Sequence, residues 1–100
     1  MTAYLIADID IHDEKAYEDY RRRVPAIIAS YGGRYLVRGS TAEVLEGDYK
    51  PARGIVIEFP NMAAAKRFLA SPEYRPLRAI RQKCARTNLI AFEGVVAPSP

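Results

Sequence analysis

The residues best suited to chemistry in this chain are tyrosines and arginines set at helical spacing. Tyr17 and Tyr20 fall on one apolar stripe, and Tyr74 opens a later helical run with Arg78 one turn further on. Hydroxyls and a guanidinium converging between helices and a sheet would make a cleft with aromatic walls and one anchoring cation. Such a cleft suits a small carboxylate or enolate. The same residues have an ordinary reading: tyrosines on an amphipathic helix are commonly core residues, and flanking arginines commonly cover apolar area with their stems.

Glu58 interrupts the otherwise apolar run Gly54-Ile55-Val56-Ile57-Glu58-Phe59. A carboxylate in such surroundings tends to hold its proton and can act as a general acid or base. With Arg38 as electrostatic partner it would instead stay ionised in a structural ion pair, the commoner outcome. Asp8, Asp10 and His12 alternate, but His12 falls in the turn after the strand, and no metal site is expected. Cys84 lies on an apolar stripe with Leu77 and Ile80, where packing is its expected role, and a single cysteine excludes an internal disulfide or a multi-cysteine zinc site. Gly32-Gly33 ends a helix instead of opening one, and the single histidine has no evident nucleophile. Neither a phosphate loop nor a Ser-His-Asp set is present, and no cofactor is expected.

The elements that must position these groups follow from periodicity. Ala3 to Asp10 is apolar, β-branched and short, which predicts a strand. Asp13 then sits as a helix N-cap, and Tyr17, Tyr20, Val24, Ile27, Ile28 and Tyr31 recur every three or four residues up to Gly32-Gly33; Pro25 inside the run should kink the helix. Arg34 to Glu46 is extended, with a bend or bulge at Gly39-Ser40, and Gly47-Asp48-Tyr49-Lys50-Pro51 is a turn. Gly54 to Phe59 is the clearest strand. Asn61 caps a short helix through Met62, Ala65, Phe68 and Leu69 that Pro72 breaks, and a second piece runs from Glu73 with Pro76 in its first turn. Thr87 to Val95 is the last strand. The order β-α-β-β-α-β, with the second helix in two pieces, is that of a ferredoxin-like α+β sandwich in which helices cover one face of an antiparallel sheet.

The chain has 100 residues, 49% hydrophobic and 27% charged, which fits one domain over residues 1–96; Ala97-Pro98-Ser99-Pro100 is expected to be a disordered tail. No apolar run approaches the roughly 18–20 residues that cross a bilayer, so a cytoplasmic location with no membrane partner is expected. The net charge of +3 is too small to argue for nucleic acid, and the basic side of the last helix, with Arg75, Arg78, Arg81, Lys83 and Arg86, reads as a solvated face.

Alternation divides each strand between two faces. One set is apolar and is assigned to the helices: Leu5, Ala7 and Ile9; Tyr35 and Val37; Ile55, Ile57 and Phe59; Ile90 and Phe92. The other is mixed: Tyr4, Ile6 and Asp8; Arg34, Leu36 and Arg38; Val56 and Glu58; Leu89, Ala91 and Glu93. Left in water, Tyr4, Ile6, Leu36, Val56 and Leu89 would expose a patch on the order of several hundred Å², more than soluble monomers usually show. The simplest cover is the same face of a second copy, a homodimer built sheet against sheet, with Arg34 or Arg38 pairing an enclosed carboxylate.

The stretches Ala3-Tyr4-Leu5-Ile6-Ala7-Asp8-Ile9, Tyr17-Glu18-Asp19-Tyr20, Gly32-Gly33-Arg34-Tyr35-Leu36-Val37-Arg38-Gly39, Ile55-Val56-Ile57-Glu58-Phe59-Pro60 and Ser71-Pro72-Glu73-Tyr74, with Leu77-Arg78, are together similar to the bacterial family called domain of unknown function 1330. The resemblance spans nearly the whole chain, departing at Phe68, where relatives often carry tryptophan. It implies a ferredoxin-like fold in the dimeric α/β barrel superfamily, whose members range from cofactor-free monooxygenases and lactone isomerases to haem proteins, so it selects no reaction. Two functions are therefore carried forward. One is a homodimer that binds a small organic acid or carbonyl compound through Tyr17, Tyr20, Tyr74 and Arg78, with Glu58 as acid or base and Arg38 beside it, and performs cofactor-free proton transfer or isomerisation. The other is a non-catalytic interaction module whose cleft is filled by side chains.

Overall fold

A computed structural model describes residues 1–95; the expected tail at 97–100 lies outside the described residues. The elements are β1 (Ala3–Ile11), α1 (Glu14–Ser30), β2 (Arg34–Ser40), β3 (Gly54–Phe59), α2 (Met62–Ala70), α3 (Arg75–Cys84) and β4 (Ala85–Glu93). The four strands form one antiparallel sheet in the order β2-β3-β1-β4. The fold is the expected ferredoxin-like α+β sandwich, with three helices over one face of the sheet.

Local chemistry explains the boundaries. The Asp13 carboxylate accepts the Ala16 N–H at 3.1 Å, and the Asn61 side chain accepts the Ala64 N–H at 2.7 Å, each satisfying an otherwise free donor at a helix start. α1 runs through Pro25 as one element, with Tyr17, Tyr20, Val24 and Ile28 buried against the sheet. At its end Gly33 is required by close approach, since a Cβ there would sit 2.7 Å from Ile28 Cγ2 and 2.8 Å from the Phe59 ring. Phe59, Phe68 and Leu77 are fully enclosed and form the centre of the core.

Three sequence expectations need correction. The second strand stops at Ser40, and residues 41–53 form an irregular exposed loop. That loop is tied to the sheet by Asp8, whose carboxylate accepts the Tyr49 hydroxyl at 2.6 Å and the Ala52 N–H at 2.9 Å, while Ile9 N–H donates to the Arg53 carbonyl.

β2 also changes face. Tyr35 pairs Ile57 but Val37 pairs Val56, so Leu36 is an extra residue; Arg38 pairs Ile55 and Ser40 pairs Gly54, so Gly39 is a second one, with φ of +81°. Directly opposed residues share a face. Val37 therefore joins the outer face with Val56, and Arg38 turns inward beside Ile55.

β4 begins two residues earlier than expected and shows the opposite parity. α3 runs into it without a loop, and Ala85, directly after the last helical residue, is buried at 6% exposure. Ala85, Thr87, Leu89 and Ala91 consequently face the helices, opposite Ile11, Ile9, Ala7 and Leu5. Ile90 and Phe92 lie on the outer face opposite Ile6 and Tyr4, and remain 53% and 57% exposed.

Candidate functional site: a tyrosine-lined cavity with a buried arginine

A cavity of about 80 Å³ lies between the inner face of the sheet and the helices. At ~10–15 Å³ per water it has room for roughly six solvent molecules, or a compact organic compound of similar bulk. Leu5, Ala7, Ile57 and Leu89 from three strands make its floor; Tyr17 and Tyr20 from α1, with Phe68 and Tyr74, make aromatic walls.

The tyrosines form a connected set. Tyr17 and Tyr20 stack with ring centres 4.9 Å apart, Tyr20 meets Tyr74 edge-on at 6.1 Å, and the Tyr20 and Tyr74 hydroxyls share a hydrogen bond of 2.7 Å. One of these hydroxyls donates to the other, leaving the acceptor's own proton available to a third group. Burial, followed by interaction with Tyr74, pushes the Tyr17 hydroxyl up to about 12. Tyr20 is raised further, again by burial first and then by Tyr74. Tyr35, on β2, is also raised by burial, with the Arg38 charge opposing. At neutral pH these phenols are therefore uncharged hydrogen-bond donors.

The cation inside the cavity is Arg81. It is only 8% exposed, it lines the cavity, and its Nε is enclosed without a hydrogen-bond partner. No carboxylate among the described residues lies within ion-pair distance of it. Its charge is felt at Tyr17 and at Tyr20. The charge pattern of the last helix places Arg81 on a solvated face, and the structure buries it instead. The signal that would have found it is spacing: Tyr74, Leu77, Arg81 and Cys84 are separated by three, four and three residues, and all four are buried. A buried unpaired guanidinium is expensive, and a protein that retains one commonly uses it.

The other expected site residues divide. Tyr17, Tyr20, Tyr74 and Arg38 line the cavity. Arg38 reaches it because of the bulge in β2, and its guanidinium sits 4.8 Å above the Tyr35 ring. Arg78 stands behind the wall, with its guanidinium 5.7 Å from the Tyr74 ring and donating to the Leu69 carbonyl near the end of α2. Glu58 is on the opposite face of the sheet, where it pairs with Arg34 at 2.8 Å and not with Arg38, because Arg34 is its cross-strand neighbour. The Arg38–Glu58 pair is thus replaced by Arg34–Glu58. Two further cations at the cavity, Arg21 and Arg53, are engaged by Glu14 and, for Arg21, Glu18. Among the described residues the lining contains no Asp, Glu or His. Asp8 holds the loop, Asp10 is exposed opposite Arg86, and the His12 N–H donates to the Cys84 carbonyl.

Comparison with solved structures agrees with the fold. RPA0582 from Rhodopseudomonas palustris, a protein of unknown function, aligns with a TM-score of 0.77 at 20% identity, over 96% of this chain and 84% of that one. SnoaB from Streptomyces nogalater, a cofactor-independent oxygenase, aligns with a TM-score of 0.67 at 16% identity, over 96% and 95% of the two chains. A dimeric ferredoxin-like protein of unknown function from Jannaschia sp. CCS1 gives 0.64 at 13% identity, over 94% and 100%. At these identities the likeness establishes the architecture alone. Among curated proteins no match is found. The family model described as Domain of unknown function (DUF1330) matches residues 2–95, essentially the whole of the described fold, and the chain belongs to that family.

Proposed function

We propose that this protein is a homodimer that binds a small organic anion, a carboxylate or the enolate of a carbonyl compound, in the cavity between its helices and its sheet. The observation that carries this reading is Arg81, a residue 8% exposed whose Nε is enclosed without a hydrogen-bond partner at an apolar, tyrosine-lined cavity, with no carboxylate within ion-pair distance among the described residues. An anion at Arg81 supplies the missing charge, and neutral phenols beside it donate hydrogen bonds to the same oxygens. Arg81 takes the anchoring role that the sequence assigned to Arg78.

The chemistry such a site favours is stabilisation of an oxyanion. For a bound compound with an acidic C–H, a guanidinium and phenol donors lower the energy of the enolate, the species shared by proton transfer and isomerisation. Glu58 has no part in this, since it lies across the sheet; a reacting compound would lose its proton to solvent or to its own basic group. SnoaB, of the same fold, is a cofactor-independent oxygenase, which supports chemistry in this architecture without a resident cofactor. An open cavity also supports ligand binding over a structural module with a filled cleft. No helix of the described residues is long and apolar enough to cross a membrane, and a cytoplasmic setting is part of this reading.

The homodimer rests on the outer face. The two corrections of register bring Val37, Ile90 and Phe92 to the outer face beside Tyr4, Ile6 and Val56 and take Arg38, Leu89 and Ala91 away from it, so that face keeps its apolar character. A similarly folded neighbour is described as dimeric.

The test is titration of the protein with benzoate and short-chain carboxylates, followed by amide chemical shifts and calorimetry, in wild type and Arg81→Met. Shifts clustered at the cavity in wild type and absent in the variant are expected. Carboxylate binding of equal strength in both would remove Arg81 from the site.

A further inference from the structure

Four arginines line the cavity, and they are not equivalent. Arg21 is held by Glu14 and Glu18, at 3.3 Å and 2.8 Å, and Arg53 by Glu14 at 3.3 Å. Arg81 and Arg38 have no carboxylate within ion-pair distance among the described residues. Arg81 is buried, whereas Arg38 is exposed.

Arg38 is also placed with unusual structural investment. Uninterrupted alternation from Tyr35 would put it on the outer face; the extra residue Leu36 turns it inward opposite Ile55, and the extra residue Gly39, in the left-handed conformation, follows at once. Stacking on Tyr35 at 4.8 Å then limits where the guanidinium can go. A bulge that re-aims one charged side chain into a cavity is a common device for positioning a ligand contact.

Resting on the reading that the cavity binds an organic anion, we infer that its ligand is two-headed, a small dicarboxylate or a carboxylic acid with a second anionic oxygen. One head sits on the buried Arg81 and the other on the exposed Arg38, with the tyrosine walls against the carbon skeleton between them. Among the described residues the lining offers no side-chain carboxylate to neutralise either cation, so both charges are left for the ligand. A monoanion fills one position and leaves the second guanidinium solvated, while a dianion of the right length pairs both in a site fixed before binding.

The test uses matched series of equal carbon number, butyrate against succinate, valerate against glutarate and caproate against adipate, titrated calorimetrically into the full chain at low ionic strength. The expected result is that one dicarboxylate binds roughly tenfold or more tighter than its monocarboxylate, the gain of one charge-assisted contact. Arg38→Gln brings that dicarboxylate down to the affinity of the monocarboxylate, and Arg81→Met loses both. The inference is overturned if mono- and dicarboxylates bind alike at every length, or if the preference survives Arg38→Gln. Monocarboxylate binding that depends on Arg81, without a dicarboxylate preference, leaves the anion-binding reading standing and removes only the second head. Failure of every carboxylate to bind removes both.

Discussion

The hydroxyls of Tyr20 and Tyr74, 54 positions apart in the chain, meet at 2.7 Å in the interior between α1 and the turn that starts α3. Each ring is packed on its neighbours, Tyr20 on Tyr17 and Tyr74 on Phe68, which holds the two hydroxyls against each other in a largely buried setting. Removing one partner strands the second. Tyr20→Phe and Tyr74→Phe should each destabilise the fold by about 1–3 kcal/mol, and the double variant by clearly less than their sum. Denaturant unfolding of the four proteins gives the coupling directly, and strictly additive effects would mean that the bond contributes nothing.

Alkaline conditions should loosen the same region. Tyr17, 4% exposed, has its hydroxyl raised from 10.0 to about 12 by burial first, and Tyr20 is shifted in the same direction. A folded-state value above the unfolded one favours the protonated, folded form. The stabilisation is complete below about pH 10 and disappears as pH rises through about 12. For Tyr17 alone the loss is roughly 3 kcal/mol over that interval. Unfolding followed by phenolate absorbance should show this decline in wild type and a shallower one in Tyr17→Phe; parallel pH profiles would contradict it.

Arg81 offers a test that separates function from packing. If it supports the fold, Arg81→Met should lower stability. If it is held for a ligand, replacing a buried unpaired cation with an apolar side chain of similar length should leave the unliganded protein as stable or more so, by up to roughly 3 kcal/mol. A thermal melt without carboxylates decides between the two.

The outer face predicts an assembly. Ile90→Lys puts a charge on the apolar outer surface, on edge strand β4 opposite Ile6, at a residue already 53% exposed in the single chain. Folding of the chain should survive and dimerisation should not. Sedimentation is expected to give a dimer for wild type and an 11.2 kDa monomer for the variant. A wild-type monomer at micromolar concentration would reject the interface.

Asp8 should govern the loop. Its carboxylate accepts from both Tyr49 and Ala52, so Asp8→Ala frees two donors, each worth about 1 kcal/mol at an accessible position. Residues 41–53 should become more sensitive to limited proteolysis, the Ala52 amide should exchange faster, and the unfolding midpoint should fall by an amount that matches the two lost bonds. Unaltered exchange at Ala52 would show that other contacts hold the loop.

Much of the fold is legible along the chain because its causes are local. Asp13 and Asn61 cap the helices they precede, Gly32-Gly33 ends α1, and the strand Gly54–Phe59 is bounded as its composition suggests. The tyrosines of the cavity are legible for the same reason, since helical spacing places Tyr17 and Tyr20 on one face. What misled was polarity. The charge of Arg81 points to water, although its spacing from Leu77 and Cys84 marks it as buried. In β4 each alternating set mixes apolar and polar residues, Leu89 and Ala91 with Thr87 against Ile90 and Phe92 with Asn88, so hydrophobicity cannot choose between them.

By itself, then, the amino-acid order determines where helices and strands begin, which tyrosines face inward, and that the sheet has an apolar second face. The tertiary structure alone decided which way Arg38 points, which half of β4 meets the helices, and which arginine enters the cavity. The first kind of information is carried by caps, turns and periodicity within a few residues. The second depends on register: Leu36 as one extra residue in a ladder reverses Val37 and Arg38 before Gly39 restores the alternation, a helix running directly into a strand at Ala85 sets the parity of all of β4, and only pairing with a distant segment reveals either.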